Sequence, residues 1–498
     1  MNERLRMLLL AVSVSAAALS LGGCETNTAT GRQIFTMGSS IEDDQKIGAQ
    51  EHPKIIQEFG GVYDDPNVTS YVAIIGARMA AASEFANIPW RFTVLNSEDL
   101  NAFALPGGYV YITRGLLALA ANEAEVAGVL AHEIGHVTAR HSAERQGDAT
   151  IAGLSAAVAG LLLGEAGGQL ASTVGSGYIQ HYSQSQEFEA DTLGVRYLSR
   201  TGYQIGAMAD FLVKMRDYSA LQNKIAGRPA SAVDQADFFA SHPRTLDRVQ
   251  KAAAEAGRQA GSGTALNREI YLQTIHGMTF GDDPSQGIVR GRTFIHPKLM
   301  FRFEAPEGFR LINRPDAVLA TGPNGAMVKF GMSSQRQSGT AADYLRRAYG
   351  QKASLQNLER IDVNGMEGAT ATARGRTSAG DADIRFIAIK QSADRLYEFT
   401  FATPTNATAQ LAEPLRRMTY SLRPLSPQEA AAVKPWRIQV SRVAAGDSVA
   451  SLAGRMAMPD YKEDWFRTLN GLKAGEQVQA GQMVKIVTEA RKQNRRNM

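Results

Sequence analysis

The chain is poor in cysteine, in net charge and in long apolar runs. It has one cysteine in 498 residues, which excludes intrachain disulfides. Lys and Arg total 53 against 49 Asp and Glu. The resulting net charge of +4 is too small to indicate nucleic acid, so no such partner is expected. With 44% hydrophobic residues the chain is not disordered, and its length predicts about three domains.

The single cysteine follows a short apolar run at the N-terminus. Two arginines precede the apolar residues 7–21, which are fewer than the ~20 that a membrane-spanning helix needs. This pattern predicts a secretory signal peptide over 1–23. The sequence Leu-Gly-Gly-Cys ends at Cys24 and resembles a bacterial lipobox, which implies lipidation of Cys24; the alternative is a chance cysteine. Because Glu25 rather than Asp follows, similarity to enterobacterial sorting rules favours a periplasmic protein anchored to the outer membrane.

The strongest chemical signal is a histidine pair within an apolar run. Residues 126–137 predict a helix, and a capping-box pattern at 122–125 precedes it. His132 and His136 are four residues apart, so on a helix they share a face and can reach one ion. Glu133 lies beside them and could hold a water molecule against that ion.

A catalytic zinc ion needs a third protein ligand and an open position for water. His141 is five residues past His136, or about 140° round a continued helix, so it is predicted to point elsewhere. Glu187 and Asp191 are four apart and share a face of a later predicted helix. One of them can ligate the metal while the other orients a ligand imidazole. Glu189 competes as a ligand but does not share the face of Glu187 and Asp191.

Several motifs together resemble the HtpX-like and BepA-like zinc metallopeptidases, a family that includes the CAAX prenyl proteases. The resemblance covers roughly residues 40–250. It rests on Asn101-Ala102-Phe103-Ala104-Leu105-Pro106-Gly107-Gly108, Asn122-Glu123-Ala124-Glu125, His132-Glu133-x-x-His136, Glu187-x-x-Ala190-Asp191, and Ser241-His242-Pro243 with Arg248.

The resemblance implies one zinc ion per chain and assigns roles around it. By similarity, the ligands are His132, His136 and Glu187. Glu133 would be the general base, and Asp191 would orient a ligand imidazole without binding the metal itself. His242 and Arg248 would act at the oxyanion or as a switch on the metal. Asn101 would lie on an edge strand to which an extended substrate adds by backbone pairing.

The fold class predicted from these patterns is α+β and multidomain. Alternation predicts strands at 90–95, 101–104 and 109–112, and a helix is expected near 341–349. The predicted segments are a tether at 24–46, a mainly helical zinc peptidase domain with a small sheet at 47–272, a linker at 273–293, a small α+β domain of unknown role at 294–425, a linker at 426–435, a compact unit at 436–488 and a basic tail at 489–498.

The compact unit at 436–488 resembles a LysM module, a βααβ fold that binds glycans such as peptidoglycan. Its stretch 456–464 is longer and more charged than the LysM pattern, so a module used for protein contacts is the alternative. The apolar residues 151–163 are too few to span a bilayer and are expected to form a core or lid helix, with an interfacial membrane helix as the alternative.

Together these patterns favour a lipid-anchored zinc metalloendopeptidase of the cell envelope. The family resemblance implies misfolded or stalled envelope proteins as substrates, including outer-membrane β-barrel precursors. Two alternatives stay open: a cell-wall-associated chaperone or scaffold with little proteolysis, and a peptidoglycan peptidase.

Overall fold

The structure, a computed structural model, forms two compact units. One contains residues up to 278 together with 437–488, and the other contains 279–436 and the C-terminal end. Both mix helices and sheets, which confirms the predicted α+β class. No helix in the described part of the chain is long and apolar enough to cross a membrane. The described residues are 24–147, 182–229, 248, 251, 254, 263–333, 338–377 and 380–489.

Most of the helices before residue 276 follow one another directly, and the later helices stand between strands. In chain order the helices are α1 Ile41–Glu58, α2 Pro66–Ala81, α3 Arg114–Leu119, α4 Glu123–Thr138, α5 Gln184–Thr201, α6 Ala207–Ile225, α7 Arg268–Ile275, α8 Ala341–Tyr349, α9 Thr408–Ser421, α10 Pro427–Ala432, α11 Val449–Gly454 and α12 Lys462–Asn470.

The longest strands, between residues 356 and 404, lie in the second unit. In chain order the strands are β1 Cys24–Thr26, β2 Gln33–Phe35, β3 Arg91–Leu95, β4 Ala102–Leu105, β5 Tyr109–Thr113, β6 Thr279–Phe280, β7 Ile288–Arg290, β8 Thr293–His296, β9 Phe301–Glu304, β10 Arg310–Asn313, β11 Val318–Thr321, β12 Met327–Ser333, β13 Gln356–Val363, β14 Met366–Thr377, β15 Gly380–Ser392, β16 Arg395–Pro404, β17 Arg423–Pro424, β18 Trp436–Arg442 and β19 Met483–Glu489.

The segment predicted as a tether is a docked hairpin, so that prediction is wrong. Strands β1 and β2 pair antiparallel, with Cys24 opposite Phe35. The turn between them is held by Asn27, whose Oδ1 accepts from two backbone amides of the turn. The amide Nδ2 of Asn27 donates to the Thr138 carbonyl at 2.8 Å, which fixes the turn on the end of α4. Polar composition suggested a flexible segment, but these polar groups bond to the protein rather than to water.

The three predicted strands of the first unit are confirmed as a small sheet. Its order is β3-β5-β4, with β3 parallel and β4 antiparallel to β5. Every residue of β4 and β5 is buried, and β4 packs against α4. The order leaves β4 at one edge of the sheet, beside the helix that carries the histidine pair.

The C-terminal segment of the first unit has the predicted order of strand, two helices and strand. Strands β18 and β19 are neighbours in one sheet, and α11 packs on α12. This segment packs on the helices before it through Lys485, which is fully buried. Its Nζ donates to the carbonyls of Ala118, Leu119 and Ala120 at 2.7, 3.1 and 2.7 Å, at the end of α3. The identification as a LysM module stays a prediction.

The second unit is built on an antiparallel sheet of seven strands. Its order is β10-β11-β12-β16-β15-β14-β13, and a second sheet has the order β17-β9-β8-β7. The predicted helix near 341–349 is confirmed as α8. Buried aromatic rings fill the core between the sheets and α9: Phe294, Phe301, Phe303, Phe309, Phe330, Tyr397, Phe399 and Phe401.

Both predicted linkers contain regular structure and are not flexible chain, but the boundaries between the two compact units fall at them, after 278 within the first and after 436 next to the second. The segment 273–293 includes β6 and β7, and 426–435 includes α10. In the first linker Asp282 accepts from the Val289 amide and Asp283 from the Ser285 amide, each at 2.7 Å. The aspartates that indicated a linker therefore fix turns between strands.

Candidate metal centre

The histidine motif lies on α4, as predicted. The helix begins after Asn122, whose side chain accepts from the Glu125 amide at 2.9 Å. The Glu125 carboxylate closes the cap one residue earlier than the standard capping box, because it accepts from the Ala121 amide. His132 and His136 are buried on one face of this helix, with Glu133 beside them.

The acidic motif lies on α5, which packs directly on α4. Glu187 and Asp191 are both buried against α4. Two glycines let the helices approach closely. A Cβ on Gly135 would stand 2.9 Å from the Ala190 carbonyl oxygen, and one on Gly194 would stand 3.2 Å from the His132 amide nitrogen. Larger residues at these positions would separate the two halves of the site.

Three side chains from these helices fit a zinc ion. Nε2 of His132 lies 3.1 Å from Nε2 of His136, and the Glu187 carboxylate lies 3.6 and 3.5 Å from those two atoms. Ligands about 2.0–2.1 Å from a tetrahedral zinc stand about 3.3 Å apart, which matches this spacing. Within the described residues no other set of three His, Cys, Asp or Glu side chains meets in this way.

Both imidazoles turn Nδ1 away from the ion position and toward a protein partner. Nδ1 of His132 lies 2.9 Å from Asp191 Oδ1. Asp191 thus contacts a ligand imidazole on the side away from the metal, as predicted. Burial lowers the pKa of His136 well below its usual value, which favours the neutral form that binds a metal. Burial raises the pKa of Asp191, but the Arg248 guanidinium and His132 together lower it, and the net shift is downward, which favours the charged carboxylate.

Arg248 bridges two carboxylates of α5, those of Glu187 and Asp191. Its Nε and NH2 donate to the two oxygens of Asp191 at 2.8 and 2.7 Å, and its NH1 pairs with Glu187. Both Arg248 and Glu187 are buried. Arg248 therefore lies at the site, as the sequence predicts, and fixes a ligand and the residue that supports His132. Its predicted action at an oxyanion stays a prediction.

His141 does not point away from the site, and that prediction is wrong. Its Nδ1 lies 2.9 Å from Nδ1 of His136, and its Nε2 lies 3.0 Å from Glu189 Oε2. The prediction assumed a continuous helix, but α4 ends at Thr138 and Arg140 adopts φ +54°, which turns the chain back. Glu189 belongs to this contact and is not among the three side chains that meet at the ion position.

An apolar cavity opens beside the ligand set. Glu133 and Arg248 line it next to His132. The rest of its lining is apolar: Ala102, Leu116, Val129, Met208, Phe211, Leu212 and Met215. Helix α6 supplies four of these residues, a contribution that sequence motifs did not indicate because no polar residue marks it.

Asn101 directly precedes the edge strand β4 rather than lying on it, and its predicted role in substrate pairing stays a prediction. Its backbone amide donates to the Thr113 hydroxyl at 3.0 Å, and its Oδ1 is buried with no hydrogen-bond partner among the described residues. His242, proposed at the oxyanion or on the metal, lies outside the described residues, as do the signal peptide and the apolar run 151–163. Cys24 is the first residue of β1, and its predicted lipidation stays a prediction.

The comparison with protein families agrees with this geometry. Residues 66–256 match the model of peptidase family M48, which spans α4, α5 and all the ligands. The matched part of the chain contains the three donors His132, His136 and Glu187, a set that fits zinc and is compatible with a metallopeptidase of that family.

Named relatives resemble the same part of the chain. A putative beta-barrel assembly-enhancing protease of Vibrio cholerae is 31% identical over 246 residues, which are 47% of this chain and 49% of that one. The beta-barrel assembly-enhancing protease of Escherichia coli is 30% identical and covers 42% and 43%. The mitochondrial metalloendopeptidase OMA1 of Schizosaccharomyces pombe is 27% identical and covers 43% and 60%. The chain thus spans about half the length of these relatives.

Proposed function

We propose that this chain is a zinc metalloendopeptidase of the bacterial cell envelope that degrades misfolded or stalled envelope proteins, including outer-membrane β-barrel precursors. The observation that carries the proposal is the set of three buried donors, with Glu133 and an apolar cavity beside it. The names of the Vibrio cholerae and Escherichia coli relatives, which refer to beta-barrel assembly and to proteolysis, support the same class of substrate.

The residues of the site divide the work of peptide hydrolysis. His132, His136 and Glu187 would hold zinc, which when bound polarises a carbonyl and lowers the pKa of a water molecule. Glu133 takes the proton of the attacking water and delivers it to the leaving amine, since it lies next to the ligands without being one. Arg248 keeps Glu187 in place throughout, because their ion pair is buried.

The surroundings of the site suit an unfolded substrate. An extended segment can add to β4 by backbone pairing, since β4 lies at the edge of its sheet. Its side chains next to the scissile bond would enter the apolar cavity lined by α6. Misfolded proteins expose both features, unpaired backbone and apolar side chains, whereas folded proteins hide them.

Location follows from two predicted features outside the peptidase domain. A lipid on Cys24 would hold the protein at a membrane, with the outer membrane favoured by Glu25. The segment 436–488 would contact peptidoglycan if it binds glycan as LysM modules do. Replacing Cys24 by Ser should then move the protein out of the outer-membrane fraction, and unchanged fractionation would reject the lipobox.

The decisive experiment uses the full chain and an unfolded protein such as casein. Cleavage should stop when a chelator removes the metal and return when zinc is added. The variant Glu133→Gln should keep zinc and fold yet lose about 10²–10⁴-fold in rate, since a general base contributes that much. The matched control is Glu58→Gln, a change of an exposed glutamate at the end of α1.

Other outcomes favour the alternatives. Normal casein cleavage by Glu133→Gln would show that another residue activates the water. Binding of unfolded chains without any cleavage would favour a chaperone or scaffold. Digestion of purified peptidoglycan without cleavage of casein would favour a peptidoglycan peptidase.

A further inference from the structure

The two histidine ligands are supported by different parts of the molecule. His132 is supported by Asp191, within the α4–α5 pair itself. His136 is supported by His141, which in turn contacts Glu189. The second set of contacts continues outward to Arg32, whose Nε and NH2 lie 2.9 and 2.8 Å from the two oxygens of Glu189. Arg32 belongs to the N-terminal hairpin and not to the peptidase motifs.

The order of donors along these contacts is fixed by the ligand atom. Nε2 of His136 faces the ion position, so a neutral His136 carries its proton on Nδ1. That proton is donated to Nδ1 of His141, which leaves the proton of His141 on Nε2. Nε2 of His141 then donates to Glu189, and Glu189 accepts from Arg32. Each nitrogen and oxygen in the series thus has one consistent role, which sets the ring orientation of His136.

Arg32 also separates two carboxylates. Its NH1 and NH2 donate to Glu144 at 3.2 and 3.3 Å, while Nε and NH2 serve Glu189. Both glutamates are largely shielded, with 14% and 18% of their side chains exposed. Without the guanidinium the two charges would repel each other, and Glu189 would lose the contact that holds it against His141. Such a bidentate pair bridging two acids orients its partners more firmly than a single exposed ion pair.

The hairpin brings Arg32 to this place. Asn27 of its turn donates to the Thr138 carbonyl in the last turn of α4. Glu25 of its first strand accepts at 2.6 Å from Arg140, which lies just past the end of α4. Arg140 also pairs with Asp44 of α1 at 2.9 Å, so the hairpin, α1 and the end of α4 are joined through one buried guanidinium. Arg32 directly precedes β2, the second strand of this hairpin.

We propose that Arg32 is a positioning residue for the zinc ligand His136 and acts through Glu189 and His141, so that the N-terminal hairpin is part of the metal site. The inference rests on the proposed zinc-peptidase function. It means that the residue predicted to carry the lipid, Cys24, lies eight residues from a group that supports a zinc ligand, on the same docked hairpin.

The test measures zinc affinity of the full chain by competition with a chelator, without any proteolysis assay. Arg32→Ala should weaken zinc binding by about tenfold, the lower end of the effect seen when an outer partner of a ligand histidine is removed. Arg32→Lys keeps the charge but not the two-pronged contact, and should recover part of the affinity. Cobalt substituted for zinc should show a changed visible spectrum in Arg32→Ala, because the orientation of His136 changes.

Arg196→Ala is the matched control. Its NH1 donates to the Ala29 carbonyl of the same hairpin turn at 3.1 Å and to Glu84, and no contact with Glu189 is present. This variant should loosen the hairpin and leave zinc affinity and the cobalt spectrum unchanged. Arg32→Ala combined with Glu189→Ala should be no weaker than Glu189→Ala alone, since both changes break one series of contacts.

Three results would overturn the proposal. One is equal zinc affinity in Arg32→Ala and Arg196→Ala; another is additive losses in the double variant. The third is an affinity loss in Arg32→Ala that matches a loss of stability of its zinc-free form, measured by thermal unfolding, because the effect would then be structural. Failure of the unaltered chain to bind zinc at all would instead reject the proposed function.

Discussion

The two compact units of this chain differ in whether they bury charged side chains. The first unit buries many of them, and each lies in an ion pair or a hydrogen-bonded set; examples are Glu125, Arg140, Asp191, Lys214, Arg248 and Lys485. Among the described residues of the second unit no Asp, Glu, Lys or Arg is buried, and its core is aromatic and aliphatic. A buried pair rarely adds stability over an apolar core of the same shape.

The difference indicates that the chemistry lies in the first unit and that the second unit is a scaffold. In the first unit the buried charges surround the metal centre or join segments distant in sequence, as Lys485 does when it binds the end of α3. The second unit has no such cluster within its described residues, and its ion pairs, such as Arg416 with Glu413, lie at the surface.

The largest effect is expected at the metal itself. Glu187→Ala should reduce zinc from about one ion per chain to none after gel filtration, because two histidines alone bind zinc weakly. It should leave hydrogen exchange in β14–β16 of the second unit unchanged. Glu359→Ala, an exposed change on β13, is the control and should keep the ion. Equal metal content in both variants would show that Glu187 is not a ligand.

A buried ion pair of the first unit gives the next largest effect. Glu125 accepts from Lys214 Nζ at 2.8 Å on both oxygens, and both side chains are buried. Glu125→Ala leaves the lysine charge without this partner and should lower the free energy of unfolding by about 3–5 kcal/mol. Glu125→Leu combined with Lys214→Met should regain part of that loss, since the ion pair is replaced but the acceptor of the Ala121 amide is not.

Urea unfolding followed by tryptophan fluorescence measures this effect. Trp90 and Trp465 lie in the first unit, so a Trp436→Phe background reports on that unit alone. A double variant as unstable as Glu125→Ala would show that the apolar replacement does not fit, and the comparison between the units would lose its energetic basis.

The core of the second unit is expected to respond to lost volume rather than lost charge. Phe330 is buried among rings that include Phe303 and Phe399, at centroid distances of 4.7 and 4.8 Å. Phe330→Ala should cost about 3 kcal/mol of unfolding free energy, and Phe330→Leu less than about 1.5 kcal/mol. Hydrogen exchange of β12 and β16 measures the loss. Zinc content should not change, and a drop would mean that the two units do not respond independently.

Much of this site was predictable because its signals are local. The spacing of His132 and His136, and of Glu187 and Asp191, specifies one face of a helix each time. The contact of Arg32 with Glu189 was not predictable, since 157 residues separate them and neither sits in a periodic pattern. His141 was misjudged because Arg140 ends the helical geometry with a positive φ that no residue type there announces.

The fold shows the same division. Alternating residues indicated β3, β4 and β5, and the helix at 341–349 was found at its full length. The hairpin at 24–35 and the regular structure inside the two predicted linkers were missed because polar and turn residues suggested flexible chain. In the structure Asn27 bonds to the distant Thr138 carbonyl and Asp282 to the nearby Val289 amide, partners that sequence alone does not reveal.

The smallest effect is a pH dependence of the second unit, which contains a single histidine, His296. Its ring is buried beside Phe294 and Phe301, and its Nδ1 accepts from the Leu299 amide at 3.3 Å. Burial, with a smaller contribution from the positive charge of Arg395, lowers the pKa of His296 from 6.5 to about 4.

Between these two pKa values the unfolded state binds more protons than the folded state, so stability falls as the pH falls. The stability linked to His296 is therefore complete above about pH 6.5 and is lost as the pH drops through 4. His296→Asn keeps an acceptor near Nδ1 but does not titrate. Urea unfolding followed by Trp436, in a Trp90→Phe and Trp465→Phe background, should show that the stability advantage of His296 over Asn shrinks from pH 7 to pH 4.5. An advantage that stays constant over this range would show that His296 binds no proton on unfolding.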